Sequence, residues 1–328
     1  MIKNKKAVFS LIILALGIVG SPFAHSASFE DWPKEPIHLL VPFAPGGGVD
    51  GAGRMLARAL EEKLKVSVVI DNKPGANGTI AMNILKQAKP DGYTLSMVST
   101  GALDVNVSLM NLPYDPTKDF TYIAPMVKFP FYLAVTPASG IKSIQDLVNK
   151  AKAEPGKVTY SSPGIGNGIH LAAAMFSYMT GTQMTHVPYK GAAPAAAALL
   201  GGEVTFTFGS GPSILGFVEA GKVIALGTSN SERVATMPNL PTINELGIKG
   251  YDSSSLGGVV GPAGMPPELV AKLTKAIHEI VTSKEMQDKI YKAGMIPLLG
   301  DGVQFEKMIA GDRQKYGDLI KNANMKTN

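Results

Sequence analysis

The chain of 328 residues contains no cysteine. Disulfide bonds, metal–thiolate sites and thiol nucleophiles are therefore all excluded. Without such cross-links the fold has to be held by its hydrophobic core, and a chain of this length can bury a sizeable one. Since 45% of the residues are hydrophobic and 17% are charged, the composition predicts a globular protein, and the length predicts two domains.

Arginine is scarce, because the sequence contains only Arg54, Arg58, Arg233 and Arg313. None of them lies in a glycine-rich loop, so a bidentate guanidinium clamp on a carboxylate is not expected unless Arg54 reaches back from its helix. A bound anion would then be held by backbone N–H groups, hydroxyl groups and water.

Catalytic signatures are missing as well. The sequence has no HExxH, no GxSxG, no P-loop lysine and no carboxylates at metal-ligand spacing. His38, His170, His186 and His278 stand apart in the sequence, and only His170 follows a glycine-rich loop, where it is a candidate for contacting a ligand or holding that loop. We therefore predict no enzyme, no catalytic residue, no metal and no cofactor.

The N-terminal segment carries lysines before an uncharged apolar run over 7–19, and small residues follow near Ser26 and Ala27. This pattern is typical of a cleaved signal peptide, which we predict over 1–27, with an uncleaved membrane anchor as the alternative. Cleavage would remove three lysines and no acid, which lowers the formal charge from +5 to about +2. A nucleic-acid partner then has little support.

Short apolar runs alternate with amphipathic stretches along the rest of the chain. Strands are predicted over 37–41, 66–70, 93–98, 131–136, 158–161, 204–208 and 223–227. Helices are predicted over 50–64, 80–87, 144–153, 170–179, 192–200 and 305–322, with another that starts near Pro267. This alternation predicts βαβ units and largely parallel sheets.

The pattern of strand, glycine-rich loop and helix occurs twice, first over 37–64 and again over 158–179, which predicts two lobes on one plan. The last helices follow too few strands to form a domain of their own. We therefore expect the chain to return to the first lobe, so that lobe 1 comprises 28–130 plus 251–328 and lobe 2 comprises 131–250. Two crossings between lobes would form a hinge.

The first glycine-rich loop would aim backbone N–H groups and the positive end of a helix dipole at one point, which suits an anion. We predict Asp50 as the N-cap of the following helix. Gly46, Gly48 and Gly51 also fit GxGxxG, with Asp71 at the ribose position, so an exported nucleotide-binding enzyme is the alternative. Export argues against free NAD as its ligand, and Asp71 is better explained as a turn residue.

Two such loops facing each other would suit a molecule with a carboxylate at each end, and a ligand with a single carboxylate stays open.

Several ordered blocks of sequence support a more specific interpretation. They are 41–47 (VPFAPGG) with Asp50, 72–76 (NKPGA), 90–95 (PDGYTL), 112–116 (LPYDP), 186–191 (HVPYKG), 240–242 (LPT) and 262–264 (PAG). With these blocks the chain resembles the substrate-binding proteins of tripartite tricarboxylate transporters, the Bug receptors, from Trp32 to Gly294.

The resemblance implies a two-lobed periplasmic binding protein of type II-like α/β fold, each lobe a mostly parallel sheet flanked by helices, with the ligand in the cleft between them. It implies a monomer in the periplasm of a Gram-negative bacterium that closes on a small carboxylate, often a di- or tricarboxylate. The partners would be that organic acid and the membrane components of the transporter. A ligand sensor that reports to a signalling partner stays open.

The resemblance also implies ligand contacts. In lobe 1 they are Ala44, Pro45, Gly46, Gly47, Asp50, Ser99, Thr100 and Gly101, and in lobe 2 they are Ser161, Ser162, Gly164, Asn167 and His170. Three departures from the family pattern bear on ligand identity. Asn167 replaces a usual serine, Gly209 a usual aspartate and Leu256 a usual tryptophan, so the commonest ligand of the family is not assumed. Gly209 is expected at the site, where it would enlarge the pocket or admit an additional negative charge.

Overall fold

The structure, a computed structural model, describes residues 29–103, 105–235 and 237–322. The predicted signal peptide lies outside these residues. Within them, every helix is too short or too polar to cross a bilayer.

The described strands form one mixed sheet. They are β1 (Ile37–Val41), β2 (Val68–Asn72), β3 (Thr94–Ser99), β4 (Phe120–Val135), β5 (Thr159–Ser162), β6 (Thr185–Pro188), β7 (Phe206–Ser210), β8 (Ile224–Thr228), β9 (Ser254–Pro262) and β10 (Ile296–Pro297). The order is β2-β1-β3-β9-β4-β7-β5-β6, and β8 and β10 also pair with β4. The outer strands are parallel, as the alternation predicts, whereas β9 and β4 run antiparallel to their neighbours.

Helices flank this sheet. They are α1 (Gly48–Leu64), α2 (Thr79–Lys86), α3 (Thr100–Leu103), α4 (Ile144–Ala153), α5 (Gly168–Thr180), α6 (Ala192–Leu200), α7 (Gly211–Glu219), α8 (Pro267–Thr282), α9 (Lys284–Lys292) and α10 (Gly302–Asn322). The helices predicted at the two glycine-rich loops are both present, and each begins two residues before its predicted start. The sequence reasoning missed α3, α7, α9, β6, β9 and β10.

The long strand β4 spans 16 residues and connects the two halves of the sheet. It pairs with β9 as far as Pro130 and with β7 from Phe131 onwards. The sequence predicted only its last part, because Pro125 and Pro130 are unusual inside a strand and interrupt the pattern. Both prolines are accommodated where β4 changes register or partner. The change of partner is important for the site, since Phe129 and Phe131 flank it.

The prediction of Asp50 as an N-cap was wrong. The cap position of α1 is Gly47, which has extended backbone angles and no side chain to accept a hydrogen bond. Because the helix begins at Gly48, Asp50 falls in its first turn, where a carboxylate is favourable for the helix dipole. Strand β2 also lies two residues later than predicted, and this brings Asn72 level with Val41 at the end of β1.

Candidate ligand-binding site

A pocket lies where α1 and α5 begin, and its empty space of about 510 Å³ includes open solvent. Gly47 and Gly48 line it from the first loop, and Asn167 and Gly168 line it from the second. The first N–H groups of a helix have no partner inside the helix, and the helix dipole adds positive potential there. Two helix N-termini therefore converge on one pocket.

The two sides of the cleft touch around this pocket. A methyl group in place of the Gly47 hydrogen would lie 3.5 Å from Cβ of Ala192, at the start of α6. On the other side, a methyl group on Gly101 would lie 3.3 Å from the carbonyl oxygen of Gly166. The glycines thus allow backbone segments from the two sides to approach closely.

Phenylalanine rings form one wall of the pocket. Phe129 and Phe131 alternate with Pro130 along β4, so both side chains point to the same face. A methyl group on Gly48 would lie 3.1 Å from Cδ1 of Phe129, and one on Gly168 would lie 2.7 Å from Cζ of Phe131. Each helix therefore starts with a glycine packed directly on one ring, and the Gly168 position has no room for a side chain.

Hydroxyl groups lie beside the two helix starts. In the sheet, Ser210 is opposite Phe131 and Ser255 is opposite Phe129. A methyl group on Gly48 would lie 3.3 Å from Cβ of Ser210, and one on Gly168 would lie 3.4 Å from Cβ of Ser255. The pocket thus has a serine beside each helix start, and Ser99 adds a third hydroxyl to the lining.

The residues predicted as ligand contacts occupy different places. Ala44, Gly47, Ser99 and Asn167 line the pocket. Gly164 lines a neighbouring, wider part of the cleft that is also lined by Ala44. The other predicted residues lie outside the lining, and several of them support the two loops from behind. Whether each contacts the ligand stays a prediction.

Asp50 holds the first loop. Its side chain is buried, and Oδ2 accepts hydrogen bonds from the Gly46 N–H and from Arg54 Nε, both at 3.0 Å. Oδ1 accepts from Asn72 Nδ2 at 2.9 Å, and the same amide donates to the Phe43 carbonyl at 2.9 Å. Burial alone would raise the pKa of Asp50, but the hydrogen bonds from Arg54, Gly46 and Asn72 outweigh it and lower the pKa. Arg54 reaches back to Asp50 and stays outside the pocket lining.

Pro45 and Gly46 form the outer bend of this loop. Gly46 has a φ of 89°, a left-handed conformation that favours glycine, and its N–H is the one that Asp50 accepts. Sequence reasoning identified the loop from its glycines, whereas the anchoring role of Asn72 depends on the parallel pairing of β1 and β2 and left no signal of its own.

Thr100 and Gly101 follow β3 on the first side of the cleft. Thr100 Oγ1 donates to Asp312 Oδ2 at 2.9 Å and accepts from the Leu256 N–H at 2.9 Å. It therefore ties the end of β3 to α10 and β9 and does not line the pocket. Burial raises the pKa of Asp312 to about 6. Leu256 joins a hydrophobic cluster next to the site.

Two stacked histidines support the second loop. The ring centroids of His170 and His186 are 3.9 Å apart, and the rings are nearly parallel. His170 Nδ1 accepts the Gly166 N–H at 3.1 Å, and His186 Nε2 lies 2.6 Å from Ser162 Oγ. Burial, together with the neighbouring His186, lowers the pKa of His170 to about 3, and burial lowers that of His186 to about 4. His170 is thus a neutral imidazole that holds the loop.

Ser161, Ser162 and Asn167 complete this support. Ser161 Oγ donates to the Ala195 carbonyl at 2.8 Å, which ties β5 to α6. Ser162 Oγ accepts the Gly164 N–H at 3.1 Å within the loop. Asn167 is the N-cap of α5, because its Oδ1 accepts the Ile169 N–H at 3.0 Å.

The remaining sequence candidates lie away from the pocket. A methyl group on Gly209 would lie 2.7 Å from Cβ of Ile214, so this glycine allows α7 to pack on β7 and does not line the pocket. Asp71 Oδ2 lies 3.0 Å from His38 Nδ1, and both residues belong to neighbouring strands outside the pocket lining. Asp71 therefore does not occupy a ribose-binding position in this pocket.

The chain matches the model of the tripartite tricarboxylate transporter family receptor over residues 52–325. It belongs to this receptor family. Protein BugT of Bordetella pertussis is 31% identical over 96% of this chain and 98% of its own length. The family resemblance of the sequence is thereby confirmed.

Solved structures of similar receptors agree in fold. Rpa4515 of R. palustris, solved with adipate, is 32% identical with a TM-score of 0.87 and covers 90% of this chain and 99% of its own. MatC of Rhodopseudomonas palustris, solved with bound malate, is 25% identical with a TM-score of 0.82 and covers 88% of this chain and 100% of its own. The receptor therefore has the two-lobed α/β fold of periplasmic binding proteins, as predicted.

Proposed function

We propose that this receptor captures a small organic acid in the pocket between α1 and α5. The observation that carries the proposal is the convergence of two helix N-termini on a pocket whose described lining residues include no charged side chain. Backbone N–H groups at such ends bind carboxylates, and two of them suit a diacid. Similar receptors have been solved with adipate and with malate, which supports the same ligand class here.

The transport role extends this proposal. As a member of the family, the receptor would work in the periplasm after removal of 1–27 and deliver its ligand as a monomer to the membrane components of a tripartite transporter. Lobe 1 would comprise 28–130 plus 251–328, and lobe 2 would comprise 131–250. Closure of the lobes would be driven by the difference in ligand affinity between the closed and open states.

The receptor role also implies a protein without catalytic activity. Ser162 and His186 form a close pair of a hydroxyl and an imidazole that supports the second loop. Ser162 is buried, His186 is half-buried, and both lie outside the pocket lining. We assign this pair to structure, and the ligand would leave the pocket chemically unchanged.

Calorimetry against a panel of mono-, di- and tricarboxylates tests the proposal. At least one acid should bind and raise the unfolding temperature in a concentration-dependent manner. Gly47→Asp should abolish binding, because it places a carboxylate where that of the ligand is held, while aspartate remains a good N-cap for α1. Gly216→Asp is the matched control, since this helical glycine faces open space away from the pocket. Unchanged affinity in Gly47→Asp, or no binding across the panel, would contradict the proposal.

A further inference from the structure

The polar and apolar parts of the pocket are segregated. At the α1 end, Ser210 lies beside Gly48, and at the α5 end, Ser255 lies beside Gly168. Each end therefore combines a helix N-terminus with a hydroxyl group, which is a suitable environment for a carboxylate.

Between these ends the wall is hydrocarbon. The first residues of α1 and α5 pack on the rings of Phe129 and Phe131, which lie on one face of β4. Phe43, Val49 and Ile169 add apolar side chains from the two loops and helices. A group on the middle of a ligand would therefore meet carbon atoms on these sides.

The polar side chains of the lining are Ser99, Asn167, Ser210 and Ser255, and hydrogen bonds within the protein already engage two of them. Asn167 Oδ1 already accepts the Ile169 N–H. Ser210 Oγ lies 3.0 Å from Ser213 Oγ, with which it shares a hydrogen bond. A hydroxyl buried without a partner is costly, whereas a hydrocarbon in the same place gains from the loss of contact with water.

We infer that the ligand is a diacid whose two carboxylates are joined by an unsubstituted hydrocarbon spacer. This inference rests on the receptor function proposed above and narrows it, because hydroxylated acids would bind weakly. The walls that select the spacer are Phe129, Phe131 and Val49, and the two helix starts select the charged ends.

Calorimetry with matched acids tests the inference on protein stripped of any carried-over ligand. The pairs are succinate with malate, glutarate with 2-hydroxyglutarate, adipate with hexanoate, and terephthalate with benzoate. For the chain length that binds best, the unsubstituted diacid should bind at least about tenfold more tightly than its hydroxylated or single-carboxylate partner.

Each outcome is decisive. A hydroxylated acid that binds as tightly as its unsubstituted partner would overturn the apolar spacer, and a monoacid that binds as tightly as the matched diacid would overturn the two charged ends. Failure of every acid to bind would instead overturn the receptor proposal itself. A preference for adipate over terephthalate, or the reverse, identifies an alkyl or an aromatic spacer, and both fall within the inference.

A variant of the wall provides an independent test. Val49→Thr keeps the branched shape of the side chain and adds a hydroxyl to the apolar side of the pocket. The preference for the unsubstituted diacid over its hydroxylated partner should therefore fall at least about threefold. Val69→Thr is the matched control, because Val69 is exposed on β2 and lies outside the pocket lining. An unchanged preference in Val49→Thr would contradict the inference.

Discussion

Substitution of Asp50 by asparagine tests how the first loop is held. The carboxylate accepts three hydrogen bonds, from Gly46, Arg54 and Asn72, and its side chain is only 5% exposed. An amide has one oxygen, so it cannot accept on both sides. With its oxygen toward Gly46 and Arg54, the amide turns an N–H₂ group against the Asn72 N–H₂ group. With the opposite orientation it loses two bonds.

Rotation of the Asn72 amide cannot repair this loss. Asn72 Nδ2 also donates to the Phe43 carbonyl, and Asn72 Oδ1 accepts from Arg54 Nη2 at 3.2 Å. Both bonds would be given up. A hydrogen bond to a charged group contributes about 1.5–3 kcal/mol, while the ion pair itself adds less than about 1 kcal/mol because Arg54 is half exposed. We therefore expect Asp50→Asn to lower the free energy of unfolding by about 2–3 kcal/mol.

Urea denaturation of the ligand-free protein measures this change, and calorimetry should show at least about tenfold weaker acid binding, because the loop N–H groups lose their anchor. Asp146→Asn is the matched control. Asp146 accepts the N–H of Lys142, four residues before it, as Asp50 accepts that of Gly46, but it is exposed. The control should lose much less stability than Asp50→Asn, because Asp146 is exposed to solvent. Equal losses in the two variants would refute the anchoring role of Asp50.

Three further predictions concern titration and packing. Because burial keeps His170 and His186 neutral, the free energy of unfolding should fall as the pH drops from 6.5 toward 4, and NMR should show neither ring protonated at pH 5.5. Protonation of either ring near pH 6.5 would contradict the lowered pKa values. The raised pKa of Asp312 means that its ionised form destabilises the folded protein above pH 6. Asp312→Asn should therefore raise the free energy of unfolding at pH 8 by up to roughly 3 kcal/mol in urea denaturation, and this gain should disappear toward pH 4. A difference that does not change with pH would contradict the prediction. Gly209→Asp should destabilise the fold by at least about 3 kcal/mol, since it forces a carboxylate against Ile214, and a melting temperature equal to that of the parent would contradict the packing.

The two helix starts could be predicted from the sequence because their signals are local. An apolar strand, a glycine-rich loop and an amphipathic stretch follow one another within a short segment, and backbone geometry then fixes where the N–H groups point. The two loops were identified in this way, whereas Gly47 and Asn167, which line the pocket, were named as ligand contacts through the family resemblance. The start of α1 was missed by two residues because its cap, Gly47, has no side chain.

The apolar wall could not be predicted, because it depends on pairing between distant strands. Phe131 begins the predicted strand 131–136, but Phe129 lies in the part of β4 that Pro125 and Pro130 hide. Ser255 lies in β9, whose glycines weaken the pattern of a strand. Only the register between β4 and β9 brings Ser255 opposite Phe129. A single sequence carries no signal for such a register.

For several residues that the family resemblance implied at the site, the orientation of the side chain could not be predicted, and their contact with the ligand stays a prediction. Thr100 and His170 are polar residues next to the predicted loops, yet their side chains point to Asp312 and to the Gly166 N–H. Gly209 was expected at the site because of a departure from the family, and its missing side chain instead makes room for Ile214. Whether such a residue lines the pocket depends on the direction of its side chain within the helix or strand, and sequence spacing alone does not give that direction.

In the proposed site, backbone N–H groups of two helix N-termini hold the acid without a cationic side chain. A crystal structure of the receptor with its bound acid measures these contacts. We expect carboxylate oxygens within hydrogen-bond distance of the first N–H groups of α1 and α5, with the spacer against Phe129 and Phe131. A ligand bound elsewhere, or a carboxylate paired with a lysine or arginine side chain, would contradict the proposed site.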